Sequence, residues 1–228
     1  MTSVTIVGGT GDLGYGLALR LALAGVAVTI GSRDAARAAE AADRVRGLIT
    51  GAEVSGAANP DAVAGAGLVV LSVPFASQAP TLRSLREALA PGATLLDVTV
   101  PLAAAVGGRP TRVLSVWQGS AAQQAQELVP DGVTVVSALH TVAARHLADL
   151  DHVFVEDALV AGDDAAAKRR VAELIRLIPG LRPVDAGRLE MARITEQLTA
   201  LTIGVNIRHK ATAGLRVTGL ADDPWPAT

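Results

Sequence analysis

An α/β fold, doubly wound on a mostly parallel sheet and ending in a small C-terminal helical lobe, is what this sequence predicts. Three observations carry the reading. Short β-branched apolar runs alternate with alanine- and leucine-rich stretches of helical length. The inner runs are continuously apolar, as in strands buried on both faces. A glycine-rich turn joins the first run to the first helix. Half of the 228 residues are apolar, enough for one large domain with a small lobe attached.

Residues 4–7 make the first strand and 12–24 the first helix, with Leu13, Leu17 and Leu21 on its buried face and Gly25 as its stop. Residues 26–30 form the second strand, 34–47 a charged surface helix, and 51–56 a short third strand. The run 68–73 is a buried strand stopped at Pro74, followed by a helix over 80–89 and a strand over 93–98. Residues 121–128 are helical, 133–137 form a strand that leads to His140, and 152–161 form one further strand. A helix over 165–178, a short strand over 181–184 and a last helix over 190–206 complete the pattern. The turn Asp185-Ala186-Gly187 sets the expected border between a nucleotide-binding domain, 1–185, and a lobe, 186–228, lying across the carboxyl edge of the sheet or against a second subunit. That lobe is too short to fold alone.

Composition narrows the function classes. The formal charge is −2 with no long run of either sign, and aromatics are only 2 %, so neither an electrostatic footprint nor stacking platforms for nucleic acid are present. The absence of cysteine removes thiol nucleophiles and thiolate metal sites, and is compatible with a cytoplasmic location. The first residues run straight into a strand, and no segment has the roughly 18 uninterrupted apolar residues of a membrane span. No metal site is expected from the spacing of the four histidines.

Gly9, Gly11 and Gly14 satisfy Gly-x-Gly-x-x-Gly, with Gly8 offering a second phase. Such a turn lets backbone N–H groups approach a pyrophosphate and aims a helix dipole at it. A bare match also describes an ordinary strand-to-helix turn. The context decides, because the loop Gly9-Thr10-Gly11-Asp12-Leu13-Gly14 follows an apolar strand and opens a well-patterned helix, as in a dinucleotide-binding Rossmann fold. After the second strand an NAD site presents Asp or Glu, whereas this chain has Ser32 and Arg33. A hydroxyl and a planar cation suit a ribose 2′-phosphate, which predicts NADP(H), with Thr10 close enough to add a second hydroxyl. The plainer alternative for Arg33 is a solvated cation at the start of a helix.

The run Thr5-Ile6-Val7-Gly8-Gly9-Thr10-Gly11-Asp12-Leu13-Gly14-Tyr15-Gly16, followed by Ile30-Gly31-Ser32-Arg33, resembles the opening of the NADPH-dependent oxidoreductases that use coenzyme F420, a 5-deazaflavin. Segments similar to that family recur in order at Val136-Ser137-Ala138-Leu139-His140-Thr141, Ala161-Gly162-Asp163-Asp164, Gly180-Leu181-Arg182-Pro183-Val184-Asp185-Ala186-Gly187 and Glu196-Gln197-Leu198-Thr199, so the resemblance covers nearly the whole chain. Tyr15 departs from it, standing where archaeal members are expected to carry lysine, and so does the tail beyond Arg208.

The resemblance implies reversible hydride transfer between C4 of nicotinamide and C5 of the deazaflavin, with F420 as co-substrate, and a homodimer. Both coenzymes supply the chemistry, so the protein need only hold two rings face to face and exclude water. Ser72, Val73 and Pro74 after the fourth strand, Val100 after the fifth, and Ala138, Leu139 and His140 after the sixth fall at the carboxyl edge where Rossmann ligands lie. His140 is the polar candidate for positioning a ring, with a purely structural histidine as the alternative. Leu198, Thr199 and Ile203 are candidates to cover the deazaflavin, and Arg188, Arg193, Arg208 and Lys210 to meet its anionic tail. Two other functions stay open on the residues alone: an NADPH-dependent reductase of an imine, carbonyl, flavin or metal chelate, and a non-catalytic NADP(H) sensor.

Overall fold

The computed structural model describes residues 3–225. Its eight strands are β1 (Ser3–Val7), β2 (Ala27–Ser32), β3 (Val54–Ala58), β4 (Leu68–Leu71), β5 (Thr94–Asp97), β6 (Thr134–Ser137), β7 (Glu156–Gly162) and β8 (Leu181–Gly187), in the order β3-β2-β1-β4-β5-β6-β7-β8. β1 to β6 are parallel, β7 runs against β6, and β8 is parallel to β7. The order reverses between β1 and β4, which opens a crevice at the carboxyl ends of those strands.

Alternate residues of the strands feed two cores, and this is why the runs are continuously apolar. Ile6, Ile30, Val70, Leu96 and Val136 face one side, where they meet Leu17 and Leu21 of α1 (Asp12–Leu23), Ala38 and Val45 of α2 (Ala35–Leu48) and residues such as Phe154. Val7, Val69, Leu71, Leu95 and Val135 face the other, against Leu82 and Leu85 of a helix at Phe75–Leu85 and Ala122 and Ala125 of one at Ala121–Leu128. In chain order the remaining helices are α3 (Asn59–Val63), α4 (the Phe75–Leu85 helix), α5 (the Ala121–Leu128 helix), α6 (Ala144–Ala148), α7 (Ala165–Arg176), α8 (Ala192–Thr195) and α9 (Leu198–His209).

Several expected boundaries move. The third strand is Val54–Ala58 rather than 51–56, because Gly51 adopts a positive φ and completes the turn after α2. The helix expected from Pro80 begins at Phe75 and carries Pro80 inside it, the missing N–H costing only one intrahelical bond. The strand expected over 152–161 starts at Glu156, and β8 continues to Gly187, so the border placed at 185/186 falls within a strand. Nor is the expected last helix continuous: a short 3₁₀ turn at Leu189–Met191 precedes α8, and α9 begins only after Glu196 and Gln197.

The tail beyond α9 is built into the sheet region. β7 overlaps β6 only at Ala161 and Gly162, so its first five residues extend past the end of β6 with an uncovered edge. The tail lies along that edge: Asp157 N–H donates to the Leu215 carbonyl and Val217 N–H donates to Asp157 Oδ2, both at 2.7 Å. Asp157 also accepts a bidentate pair of bonds from Arg182 at 2.7 and 2.9 Å, and Arg182 donates onward to the Val217 and Ala221 carbonyls. Desolvation, the largest single influence, pushes the Asp157 carboxyl up, but the hydrogen bonds from Arg182 and the Val217 N–H and the charges of Arg182 and Arg216 together outweigh it and hold the group below its ordinary range. Of the expected irregular end 222–226, Pro226 lies outside the described residues.

Candidate functional site

At the β1–β4 reversal lies a cleft of about 700 Å³, within the size range of cofactor sites. Gly8 begins its floor. With φ at +78° its Cα passes against β4 so closely that a Cβ would overlap the Ser72 carbonyl. Gly14 serves packing, since a Cβ there would meet the Gly8 carbonyl at 2.7 Å and Gly9 Cα at 2.8 Å, and Gly9 itself faces Ile30. The glycines thus place the first turn of α1 directly against the loop. Gly11, the N-cap, contributes no side-chain cap, so the N–H groups of Asp12, Leu13 and Gly14 remain for an anion, aided by the helix dipole.

The far end of the cleft is polar and cationic. Thr10, Ser32, Arg33 and Arg37 all line it, and the two arginine side chains, exposed and outside every ion pair of the described residues, stand on either side of the Asp34 cap in the chain, Arg33 before it and Arg37 in the first turn after it. Asp34 is nearby but is committed as the N-cap of α2, accepting from the N–H groups of Ala36 and Arg37. Asn59, at the start of α3, also lines the cleft, and its Oδ1 is buried with no hydrogen-bond partner. This oxygen is turned toward Gly31, where a Cβ would meet it at 2.8 Å. These features fit a dinucleotide with a phosphorylated ribose.

Ser72, Val73 and Pro74 line the cleft, whereas Val100, Ala138, Leu139 and His140 lie outside it. Ala138, Leu139 and His140 are buried, and Val100 is half-buried. Leu139 is held at φ 67°, a left-handed conformation that costs a leucine about 1–2 kcal/mol. The His140 ring has its Nε2 3.3 Å from Ser137 Oγ and rests against the Asp97 backbone carbonyl. Burial pushes this imidazole down to about 4, so it is neutral at ordinary pH, a hydrogen-bonding group rather than a proton donor.

Beneath it a polar network joins β5 to the last helices. Gln78 Nε2 shares its two hydrogens among three neighbours, Asp97 Oδ2, Thr99 Oγ1 and the Ala121 carbonyl, while its Oε1 accepts from Gln124. Asp97, fully enclosed, is raised to about 6 chiefly by desolvation. Glu196, between α8 and α9, accepts from the N–H groups of Ala121 and Ala122 and so caps α5; desolvation raises it to about 8, and the nearby Asp97 charge adds to the rise.

The comparisons with known proteins follow the same outline. Residues 3–101 match the family model described as NADP oxidoreductase coenzyme F420-dependent. The chain is 42 % identical over 223 residues to the F420-dependent NADP reductase of Methanothermobacter thermautotrophicus, covering 96 % of each. It belongs to the F420-dependent NADP reductase family. The family's enzyme from Methanocaldococcus jannaschii is 40 % identical over 95 % of this chain and 98 % of its own. A solved structure from Arthrobacter sp. FB24, titled as a candidate F420-dependent NADP reductase, superposes with a TM-score of 0.79 at 30 % identity, over 96 % of this chain and 99 % of that one.

At Tyr15, Arg44 of α2 lies over the ring, 4.7 Å from its centroid, so a cation stands beside the loop from the neighbouring helix. Sequence reasoning missed Arg37 and Asn59. Arg37 lies in the first turn of α2 whereas Arg33 precedes the Asp34 cap, so the only signal was a second arginine near the start of that helix. Asn59 carried none, because nothing local marks a five-residue helix between β3 and β4 as part of the cleft.

Proposed function

We propose that this chain transfers a hydride reversibly between C4 of NADP(H) and C5 of the deazaflavin coenzyme F420. The observation that carries this is the reach of the family relationship, 96 % of both chains, which takes in the β6 edge and the C-terminal helices and not the nucleotide half alone. In this reading the hydride moves with its electron pair from the reduced nicotinamide to oxidised F420, a solvent proton completes the reduced deazaflavin, and NADP⁺ remains; the reverse reaction retraces the step. The α1 N–H groups hold the pyrophosphate, Thr10, Ser32, Arg33 and Arg37 hold the 2′-phosphate, and Asn59 lines the adenosine end. Val73, Pro74, Val100 and the Ala138-Leu139-His140 turn flank the nicotinamide. No residue need move a proton during the transfer, which agrees with His140 being neutral.

Leu198, Thr199 and Ile203 of α9 cover the second ring in this reading, as part of the segment after Gly187. Of the four cations suggested for the anionic tail, Arg188 already pairs with Asp163 at 3.2 Å, which leaves Arg193, Arg208 and Lys210, all exposed. Exposed Ile194, Leu201 and Val205 form an apolar patch on the last helices that suits a second copy of the chain, hence a homodimer, which light scattering on the eluting species tests. No helix among the described residues is long and apolar enough to cross a membrane. A cytoplasmic location is part of this proposal.

The direct test is to mix the purified protein with NADPH and oxidised F420 and follow the visible absorbance of the deazaflavin. Rapid bleaching that needs both the protein and NADPH is expected, and unchanged absorbance rules the reading out.

A further inference from the structure

Away from the coenzyme cleft, two histidines and a carboxylate converge where the β6–β7 connection meets the start of β7. His146 lies in α6, His152 in the loop that follows, and Glu156 is the first residue of β7. One ligand atom from each comes within 4.8 Å of the other two, and His146 Nδ1 stands 3.9 Å from Glu156 Oε1. None of the three lines the coenzyme cleft.

Two features set this cluster apart from a chance gathering of polar groups. His146 Nδ1 and Glu156 Oε2 are both buried without any hydrogen-bond partner, and Glu156 is only 8 % exposed. His146 Nδ1 faces Glu156 Oε1, while the orphaned Oε2 lies on the tail side against Gly214, and each orphaned atom is costly to bury without a partner. Burial, with His152 and Arg145 adding to it, also lowers the His146 pKa, which favours the neutral form that a metal requires.

The second feature is preorganisation. Arg20 of α1 reaches into the connection and donates to the carbonyls of His146 and His152 at 2.8 and 2.9 Å, and to those of Leu147, Asp149 and Leu150. Its charge is thereby spent on backbone carbonyls, and the two histidines are fixed on either side of it. The imidazoles stack with centroids 3.9 Å apart, and Phe154 packs edge-on against His152. On the remaining side the tail closes the cluster, for a Cβ at Gly214 would overlap the Glu156 carboxylate.

We infer that His146, His152 and Glu156 form a binding site for a divalent transition metal of the zinc class, a structural site that pins the β6–β7 connection to the start of β7 beneath the tail. Two imidazoles and a carboxylate are a zinc donor set. Four-coordinate zinc at about 2.0–2.1 Å from each ligand separates its ligand atoms by about 3.3 Å, so on binding the three ligand atoms close in, the stacked imidazoles swing apart until both ring nitrogens face the ion, and a water fills the fourth position. With three protein ligands the site keeps one position for water, and its distance from the coenzyme cleft is why the role assigned to it is holding the connection rather than taking part in hydride transfer.

The test uses the untagged full chain, stripped with chelator and titrated with Co²⁺ and then Zn²⁺, with His152→Gln, Glu156→Gln and the exposed-site control His209→Gln beside it, each first checked for native circular dichroism. Expected are one Co²⁺ per chain with the intense visible absorption of a four-coordinate site, its displacement by Zn²⁺, and a rise in Tm with Zn²⁺. Affinity should fall at least about a hundredfold in both site variants and stay unchanged in the control. The proposal is overturned if the folded wild-type chain gives no such absorption, or if both site variants bind as the wild type does. Neither readout involves NADPH or F420, so the result is independent of the hydride-transfer reading.

Discussion

Thr199 Oγ1 donates a 2.8 Å hydrogen bond to the backbone carbonyl of His140. The bond ties α9 to the turn after β6, one residue beyond the strained Leu139. A left-handed leucine persists only where its surroundings hold it, and this contact is one of the restraints. Thr199→Val keeps the shape and removes the donor. It should cost about 1 kcal/mol of stability in urea denaturation and lower the hydride-transfer rate more than it changes the KM for NADPH. An unchanged rate would show that the turn does not need this restraint.

Arg33 and Arg37 make the cationic corner of the cleft. If both meet the 2′-phosphate, each single alanine variant should weaken NADPH binding about tenfold, about 1.4 kcal/mol, and the double variant about a hundredfold, with NADH binding unaltered throughout. Fluorescence titration of both nucleotides separates a lost phosphate contact from general damage to the cleft, which would weaken both alike.

Gly8 and Gly25 share a left-handed φ, +78° and +79°, but only Gly8 has a neighbour in the way. Gly25→Ala should cost about 1–2 kcal/mol in stability and leave NADPH affinity intact. At Gly8 the same substitution also drives a methyl group into the Ser72 carbonyl, so β4 must shift. A larger stability loss and at least about a tenfold loss of NADPH affinity are expected there.

Stability should fall as pH rises from about 6.5 to 8.5, and Glu196 is the cause. Its carboxyl titrates near 8 in the folded chain against an ordinary 4.5, so the folded state keeps a proton that the unfolded chain has released. The resulting stability is complete below about 4.5 and disappears as pH passes 8. Asp97, raised to about 6, acts in the same sense at lower pH, while the lowered His140 acts oppositely below 6.5, leaving the alkaline limb to Glu196. Urea denaturation should show a loss on the order of 1–2 kcal/mol across that limb in the wild type, and a flatter profile in Glu196→Gln.

What could be read from the sequence was what depends on near neighbours. The Gly8–Gly14 loop, the Ser32–Arg33 pair and the parallel strands are written in periodicity and in residue types a few positions apart. The reversal of β7 is not, because alternation of apolar residues is the same whichever way a strand runs. Glu196 reaches an N-terminus 75 residues earlier, a relation that only the packed chain creates. His146, His152 and Glu156 follow no ligand spacing along one helix or hairpin and meet only because Arg20 folds the connection around itself. Asn59 likewise becomes part of the cleft only through the order of β3, β2 and β1.

The strip of tail that lies along β7 bears on how the protein should be handled. A chain cut after α9 would bare the N–H of Asp157 on a strand edge that β6 does not reach, and would remove two carbonyl partners of Arg182. Open strand edges recruit one another, so such a truncation favours self-association of otherwise folded molecules. Tags and fusions are therefore better carried at the other terminus, and the irregular segment 211–217 is as constrained in what it can become as the strand it covers.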